Sequence, residues 1–295
     1  MLTVAGIPVT EHQLMMAKAA GINEIVLATS YLSEVFTPYF GDGSKWGMRI
    51  KYAVEKEPLG TGGAIANAAQ LLDTKESIVI LNGDVLSAHD LSEQIRQHEA
   101  NDADVTLHLT QVEDARAFGC VPTDAQGRVT AFLEKMENPV TNQINAGCYV
   151  FNPRVISAIP VQTVISVERE TFPQLVSNGA KVYGYLENAY WLDIGTPKAL
   201  LKASTDIVLR SGPGLVMPGA QVDATAEIIG GSSIGPDSSV GASTRIDGSI
   251  VEAGSVIGRD VVIENSFVAT GAIITDGTKI RSSFVTKEEI LPIPA

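Results

Sequence analysis

Two aspartates that follow apolar runs define the chemistry open to this sequence. Asp84 stands in ILNGDVLS, just past the run, and Asp193 stands in WLDIGTP, ahead of a turn closed by Gly195 and Pro197. In parallel sheets, ligands collect outside the carboxyl ends of the strands. A carboxylate at such an end suits a hard cation such as Mg²⁺ bridging phosphates. Two of them, with substrate oxygens, predict a Mg²⁺ phosphoryl-transfer site. The ordinary alternative at Asp84 is a turn aspartate.

Three further segments carry groups suited to the same chemistry. EPLGTGGAIANAA, Glu57 to Ala69, sets a Gly-rich turn before a helix, so backbone N–H groups can meet an anion or a base edge. A tight turn alone would read the same way. FLEKMENP supplies Glu134, able to accept from hydroxyls, beside Lys135, able to neutralise a phosphate, although a Glu-Lys pair is also ordinary surface. INAGCYVF puts Asn145 and Gly147 at the start of a strand, where a missing side chain lets a ligand lie on the backbone. Arg169 in SVERETFP stays outside the predicted site, because Ser166 with Glu170 reads as the opening of a helix.

The elements that must position these residues alternate as in an α/β domain. A helix from Pro8 to Ala20, a break at Gly21 and a strand from Glu24 to Ala28 come first. SIVILNGDV, DVTLHLTQV, RVTAFLEK and NAGCYVF follow as strands, and LSEQIRQHEAN and ETFPQLVSNG as helices. This is a doubly wound, Rossmann-like pattern entered at its second βα step, which places the first strand and its phosphate loop upstream of Met1. SGPG at Ser211 to Gly214 reads as a linker, giving domains 1–210 and 211–295.

Beyond the linker the period changes to six. Val216, Val222, Ile228, Ile234, Val240 and Ile246, then Ile250, Val256, Val262, Val268, Ile274 and Ile280, recur in hexads with one four-residue slip. Small residues two places earlier, such as Ser232, Ser238 and Thr244, complete the hexapeptide signature of a left-handed parallel β-helix of about three and a half coils. A solenoid this short needs a cap or a partner, which predicts a homo-oligomer formed through it. The rival reading, an acyltransferase, would need a histidine base in the coils. His12, His89, His98 and His108 all precede Ser211.

Composition narrows the partners. The 295 residues carry a formal charge of −13, which argues against nucleic acid. No apolar run spans a bilayer and no signal segment opens the chain, so the reading is cytoplasmic with no membrane. Cys120 and Cys148 sit in apolar runs and are expected as buried reduced thiols.

EPLGTGG, NGDV, FGCVPTD, FLEKMENP, INAGCYVF and WLDIGTP, in that order and followed by hexads, resemble the sugar-1-phosphate nucleotidyltransferases. TSYLSEVFTPYFGDGS, QINAGCYVF and SVERETFP are most similar to the bacterial mannose-1-phosphate guanylyltransferases. The thymidylyl- and uridylyltransferases acting on glucose 1-phosphate share the other motifs. The resemblance implies that a sugar 1-phosphate attacks the α-phosphorus of a nucleoside triphosphate and releases pyrophosphate. It implies Asp84 and Asp193 on Mg²⁺ and Pro58, Gly60 and Thr61 at the base and ribose. Gly119, Glu134, Asn145 and Gly147 would meet the sugar hydroxyls, and Lys135 the sugar phosphate. The family opens with GxGTRLxPLT and PKP segments, whose place falls before Met1-Leu2-Thr3-Val4. Their absence leaves a second expectation, a catalytically impaired member that binds a sugar nucleotide or serves as a regulatory subunit.

Overall fold

The computed structural model describes residues 1, 3–29, 33–55, 57–73 and 75–293. Ser30, Tyr31 and Leu32 of the TSYLSEVF motif lie outside the described residues. The chain forms two compact units, Gln13–Trp191 and a second built from Met1–His12 with Leu192–Ala295.

A two-residue hairpin, β1 (Thr3–Val4) and β2 (Ile7–Pro8), leads into helix α1 (Val9–Ala19). The larger unit continues with β3 (Glu24–Thr29), α2 (Ser33–Phe40), β4 (Arg49–Val54), α3 (Gly60–Ala69), β5 (Ile78–Leu81), β6 (Val85–Ser87) and α4 (Leu91–Ala100). It ends with β7 (Val105–Gln111), β8 (Gln143–Phe151), α5 (Pro153–Ser157), α6 (Phe172–Ser177) and β9 (Val182–Leu186). β3 and β4 pair in parallel. The second sheet runs β5-β8-β7-β9 and is mixed, with β8 antiparallel to both neighbours and β9 parallel to β7. Every residue of β7 but Gln111 is buried, and so is every residue of β8 but Asn145. Leu107, Leu109, Tyr149, Phe151 and Phe172 centre the core on these strands. Among the described residues, β3 and β5 each pair on one edge only, and Ile78 to Leu81 are half-buried.

RVTAFLEK does not form the expected strand. It makes only isolated bridges, Thr123 with Val129, Cys120 with Leu133 and Arg128 with Tyr183. The partner segment contains Pro122, whose carbonyl accepts from Thr130 N–H at 2.9 Å. Proline has no N–H to return, so the ladder breaks there. Ser166 opens a helical turn as expected. Its Oγ accepts from Arg169 N–H at 3.2 Å while Glu170 accepts from Ser166 N–H at 3.0 Å.

β10 (Trp191–Asp193) starts at the last residue of the larger unit, and in the other unit α7 (Pro197–Leu209) packs on the first two rungs of one β-helix face and on β1. Ser204 Oγ accepts from Ala5 N–H at 2.9 Å. Three parallel sheets then wind as a coil. One face stacks Gly214–Val216, Ser232–Ile234, Ile250–Val251, Phe267–Val268 and Ser283–Val285, and the other two faces hold four strands each. This is four turns with a fifth rung, more than the expected three and a half.

The repeat also corrects the predicted register. After a first coil of 18 residues, each rung pairs 17 residues on: Ile234 with Val251, Val251 with Val268, and Val268 with Val285. One side of each later coil is therefore five residues long. The residues that form the core of the coil are Val251, Ile257 and Ile263, and not Ile250, Val256 and Val262, although Ile250 is also buried. Each of those three positions is one of two adjacent aliphatics, so the six-residue pattern alone could not choose between them. The small residues bind the coils together. Ser249 N–H donates to Ser232 Oγ, Ser266 N–H to Ser249 Oγ and Ser283 N–H to Ser266 Oγ, at 3.0 to 3.1 Å. This buried ladder satisfies backbone N–H groups at a corner where the strand hydrogen bonds stop.

Candidate active site

One of the predicted residues, Asn145, reaches the phenol of Tyr149, which is fully buried in β8. Asn145 Nδ2 donates to Tyr149 Oη at 2.9 Å, and Asn145 Oδ1 accepts from Gly147 N–H at 3.1 Å. Burial first, and the Glu168 carboxylate second, push the Tyr149 hydroxyl well above the usual phenol range, against hydrogen bonds from Asn145 and Asn82. Tyr149 is therefore a neutral hub that touches the sugar-type segment, the NGD turn and the surroundings of Glu168.

Gly119 and Glu134 meet in the same unit. A Cβ on Gly119 would lie 2.8 Å from Glu134 Oε1, so the missing side chain makes room for the carboxylate. Gly119 O also accepts from Asn145 N–H at 3.0 Å, which links both to β8. Gly147 has φ +75°, and a Cβ there would press on Asn82 and Val85 at 3.1 to 3.2 Å. Glycine is the residue that allows both the left-handed backbone and the close approach of the NGD turn.

Asp84 is an exposed residue of the turn between β5 and β6. Lys135 is exposed and has φ +30°, an uncommon conformation for a residue with a side chain. Asp193 ends β10 in the other unit, where its Oδ1 accepts from Gly195 N–H at 2.8 Å. Thr196 then caps α7 by accepting from Ala199 N–H at 3.2 Å.

Pro58, Gly60 and Thr61 are exposed at the start of α3. The glycines beside them serve chain packing: Gly62 N–H donates to Ile165 O at 2.8 Å, and a Cβ on Gly63 would lie 2.2 Å from Thr163 O. Thr61 Oγ1 accepts from Val167 N–H at 2.9 Å and donates to Glu168 Oε2 at 2.7 Å. Sequence reasoning did not single out Gln13, Tyr149 and Glu168, which hold predicted segments from behind: Gln13 bonds the carbonyls of Asn82 and Val85, Tyr149 the side chain of Asn145, and Glu168 the hydroxyl of Thr61. Their types are common and their roles arise from contacts distant in sequence. Both cysteines are buried, free thiols, as expected.

A family model described as nucleotidyl transferase matches residues 1–209. The chain belongs to the nucleotidyl transferase family. Among its relatives, mannose-1-phosphate guanylyltransferase of Mycobacterium tuberculosis is 48% identical over 258 residues, covering 84% of this chain and 72% of that protein. Mannose-1-phosphate guanylyltransferase 1 of Arabidopsis thaliana is 35% identical over 247 residues, covering 79% and 68%. The crystal structure of HddC from Yersinia pseudotuberculosis complexed with GMP-PN superposes with a TM-score of 0.60 at 25% identity, covering 70% of this chain and 88% of that one. Membership accounts for the order of the motifs along the first 209 residues.

Proposed function

We propose that the protein transfers a guanylyl group from GTP to mannose 1-phosphate, giving GDP-mannose and pyrophosphate. The observation that carries this reading is the 48% identity to the Mycobacterium tuberculosis enzyme over 84% of the chain. The contacts that join Gly119, Glu134, Asn145 and Gly147 support it from the chemical side.

In this reading Gly119, Glu134, Asn145 and Gly147 take the sugar hydroxyls, Lys135 holds the sugar phosphate, and Pro58, Gly60 and Thr61 line the base and ribose. The sugar phosphate is the nucleophile, so this chain's work is to align it in line with the α-phosphorus and to neutralise charge. Asp84 and Asp193 each carry a carboxylate, the hard donor that Mg²⁺ prefers, and Gly195 N–H fixes the orientation of the Asp193 carboxylate through Oδ1. Among the described residues no three His, Cys, Asp or Glu side chains cluster as a metal cage. Mg²⁺ commonly keeps few protein ligands and takes the rest from phosphates and water, so the donor set fits it. Bound there, Mg²⁺ would draw charge from the phosphate oxygens.

Residues 1–210 are assigned the chemistry and 211–295 a structural and oligomeric role. Val256 and Ile273, paired in register on one outer face, are 46% and 71% exposed and offer an apolar strip to a second copy. Among the described residues no helix is long and apolar enough to cross a membrane, in keeping with a cytoplasmic enzyme. Pyrophosphate release with GTP, dTTP and UTP, each paired with mannose or glucose 1-phosphate, tests the proposal. GTP with mannose 1-phosphate is expected to give the highest kcat/KM. A preference for dTTP or UTP with glucose 1-phosphate would reassign the substrates, and binding without turnover for any pair would make this the impaired family member.

A further inference from the structure

The turn that carries Asp84 is held from three directions. Within it, Val85 N–H donates to Asn82 O at 3.2 Å, and from β8 Gly147 O accepts from Asn82 N–H at 2.8 Å. The third holder is Gln13 of α1, whose Nε2 donates to Asn82 O at 2.7 Å and to Val85 O at 2.9 Å. A carboxamide nitrogen carries two protons, so this one side chain can serve both carbonyls. Those carbonyls belong to the residues on either side of Gly83-Asp84. Fixing them pins the peptide planes at the two ends of the turn, Asn82–Gly83 and Val85–Leu86, and so limits how the Asp84 Cα between them can turn. Packing gives little help on the outer side, since a Cβ on Gly83 would meet nothing within 4 Å.

We propose that Gln13 is a positioning residue for Asp84: its double hydrogen bond sets the shape of the NGD turn and so the direction in which the carboxylate faces the metal–nucleotide. The proposal rests on the assignment of Asp84 as a metal ligand. Loss of a group that orients a ligand typically lowers metal affinity by about 10- to 100-fold.

The test is binding of Mn²⁺–GTP, followed by the electron paramagnetic resonance of the protein-bound ion, for the unaltered protein, Gln13→Ala, Gln13→Glu and Asp84→Asn. Measurements are made well below each variant's melting temperature, with circular dichroism to confirm folding. Gln13→Glu keeps the shape of the side chain but turns a carboxylate on two carbonyl oxygens, and it decides the matter where Gln13→Ala does not fold. Both Gln13 variants are expected to weaken Mn²⁺–GTP binding by about tenfold. They should also speed hydrogen exchange at Val85 N–H while leaving the KM for sugar 1-phosphate unchanged. A mere tether between helix and loop would lower the melting temperature and leave Mn²⁺ binding alone. Normal Mn²⁺ binding in both Gln13 variants with loss in Asp84→Asn overturns the role of Gln13 and leaves Asp84 in place. Normal binding in all three removes Asp84 as a ligand, and the Gln13 proposal falls with it.

Discussion

Acid should destabilise the Gln13–Trp191 unit through His108. This side chain is 0% exposed in β7, its ring stacks on His89 at 3.8 Å, and among the described residues no group gives either ring nitrogen a well-formed hydrogen bond. Burial first, and the neighbouring His89 second, lower its pKa from 6.5 to about 3, which the Glu187 backbone opposes weakly. His89, with Tyr185 and Glu187 around the pair, is itself lowered by burial, and so is His98. The folded pKa lies below the unfolded one, so the unfolded chain binds the extra proton. Stability is therefore fully present above pH 6.5 and is lost as pH falls toward 3. Between pH 7.5 and 5.5, which stays above the sequence pI of 4.7, linkage gives a loss of about 1.4 kcal/mol from His108 alone. Urea unfolding followed by tryptophan fluorescence reports on this unit, because Trp46 and Trp191 both belong to it. His108→Phe keeps an aromatic ring against His89 and should flatten the pH dependence by that amount. Parallel curves for the two proteins would refute the reasoning.

Three further outcomes are expected. Asp84→Asn and Asp193→Asn should each reduce turnover on the order of a hundredfold or more with melting temperatures unchanged; near-normal rates in either would remove that residue from the site. Glu134→Ala should raise the KM for sugar 1-phosphate about tenfold and leave that for the nucleotide nearly unchanged, as loss of a hydrogen bond to a charged group implies; equal changes in both would place Glu134 elsewhere. Ile257→Ala should cost about 2 to 5 kcal/mol in calorimetric melting of the β-helix, while Val256→Ala should stay within about 0.5 kcal/mol; the reverse order would contradict the coil register.

The sequence exposes what is local. Asp84 and Asp193 could be placed at strand ends because apolar runs and turn residues adjoin them, and the Ser166 cap followed from its own helix. The β-helix was visible from its hexads, yet the shift from Ile250 to Val251 depends on which of two adjacent aliphatics faces inward, and only the pairing of one coil with the next decides that. Contacts across long loops left no local trace. Nothing in GTGG announces that Thr163 and Ile165 will lie against it, and nothing in HQL announces that Gln13 will reach Asn82. The failure of RVTAFLEK as a strand had a sign in Pro122, but reading it required knowing which segment would lie opposite.

The 17-residue coil gives the β-helix a unit of length. Excision or duplication of one whole coil would shorten or lengthen the stack by one strand spacing, about 4.8 Å, with every inward row, corner and serine rung falling back into line. A change of several residues that is not a whole coil would carry aliphatic rows out to solvent and serines out of their ladder, whereas the first coil, at 18 residues, shows that one side can absorb a single extra residue. Height in this region can thus vary in discrete steps without redesign of the faces.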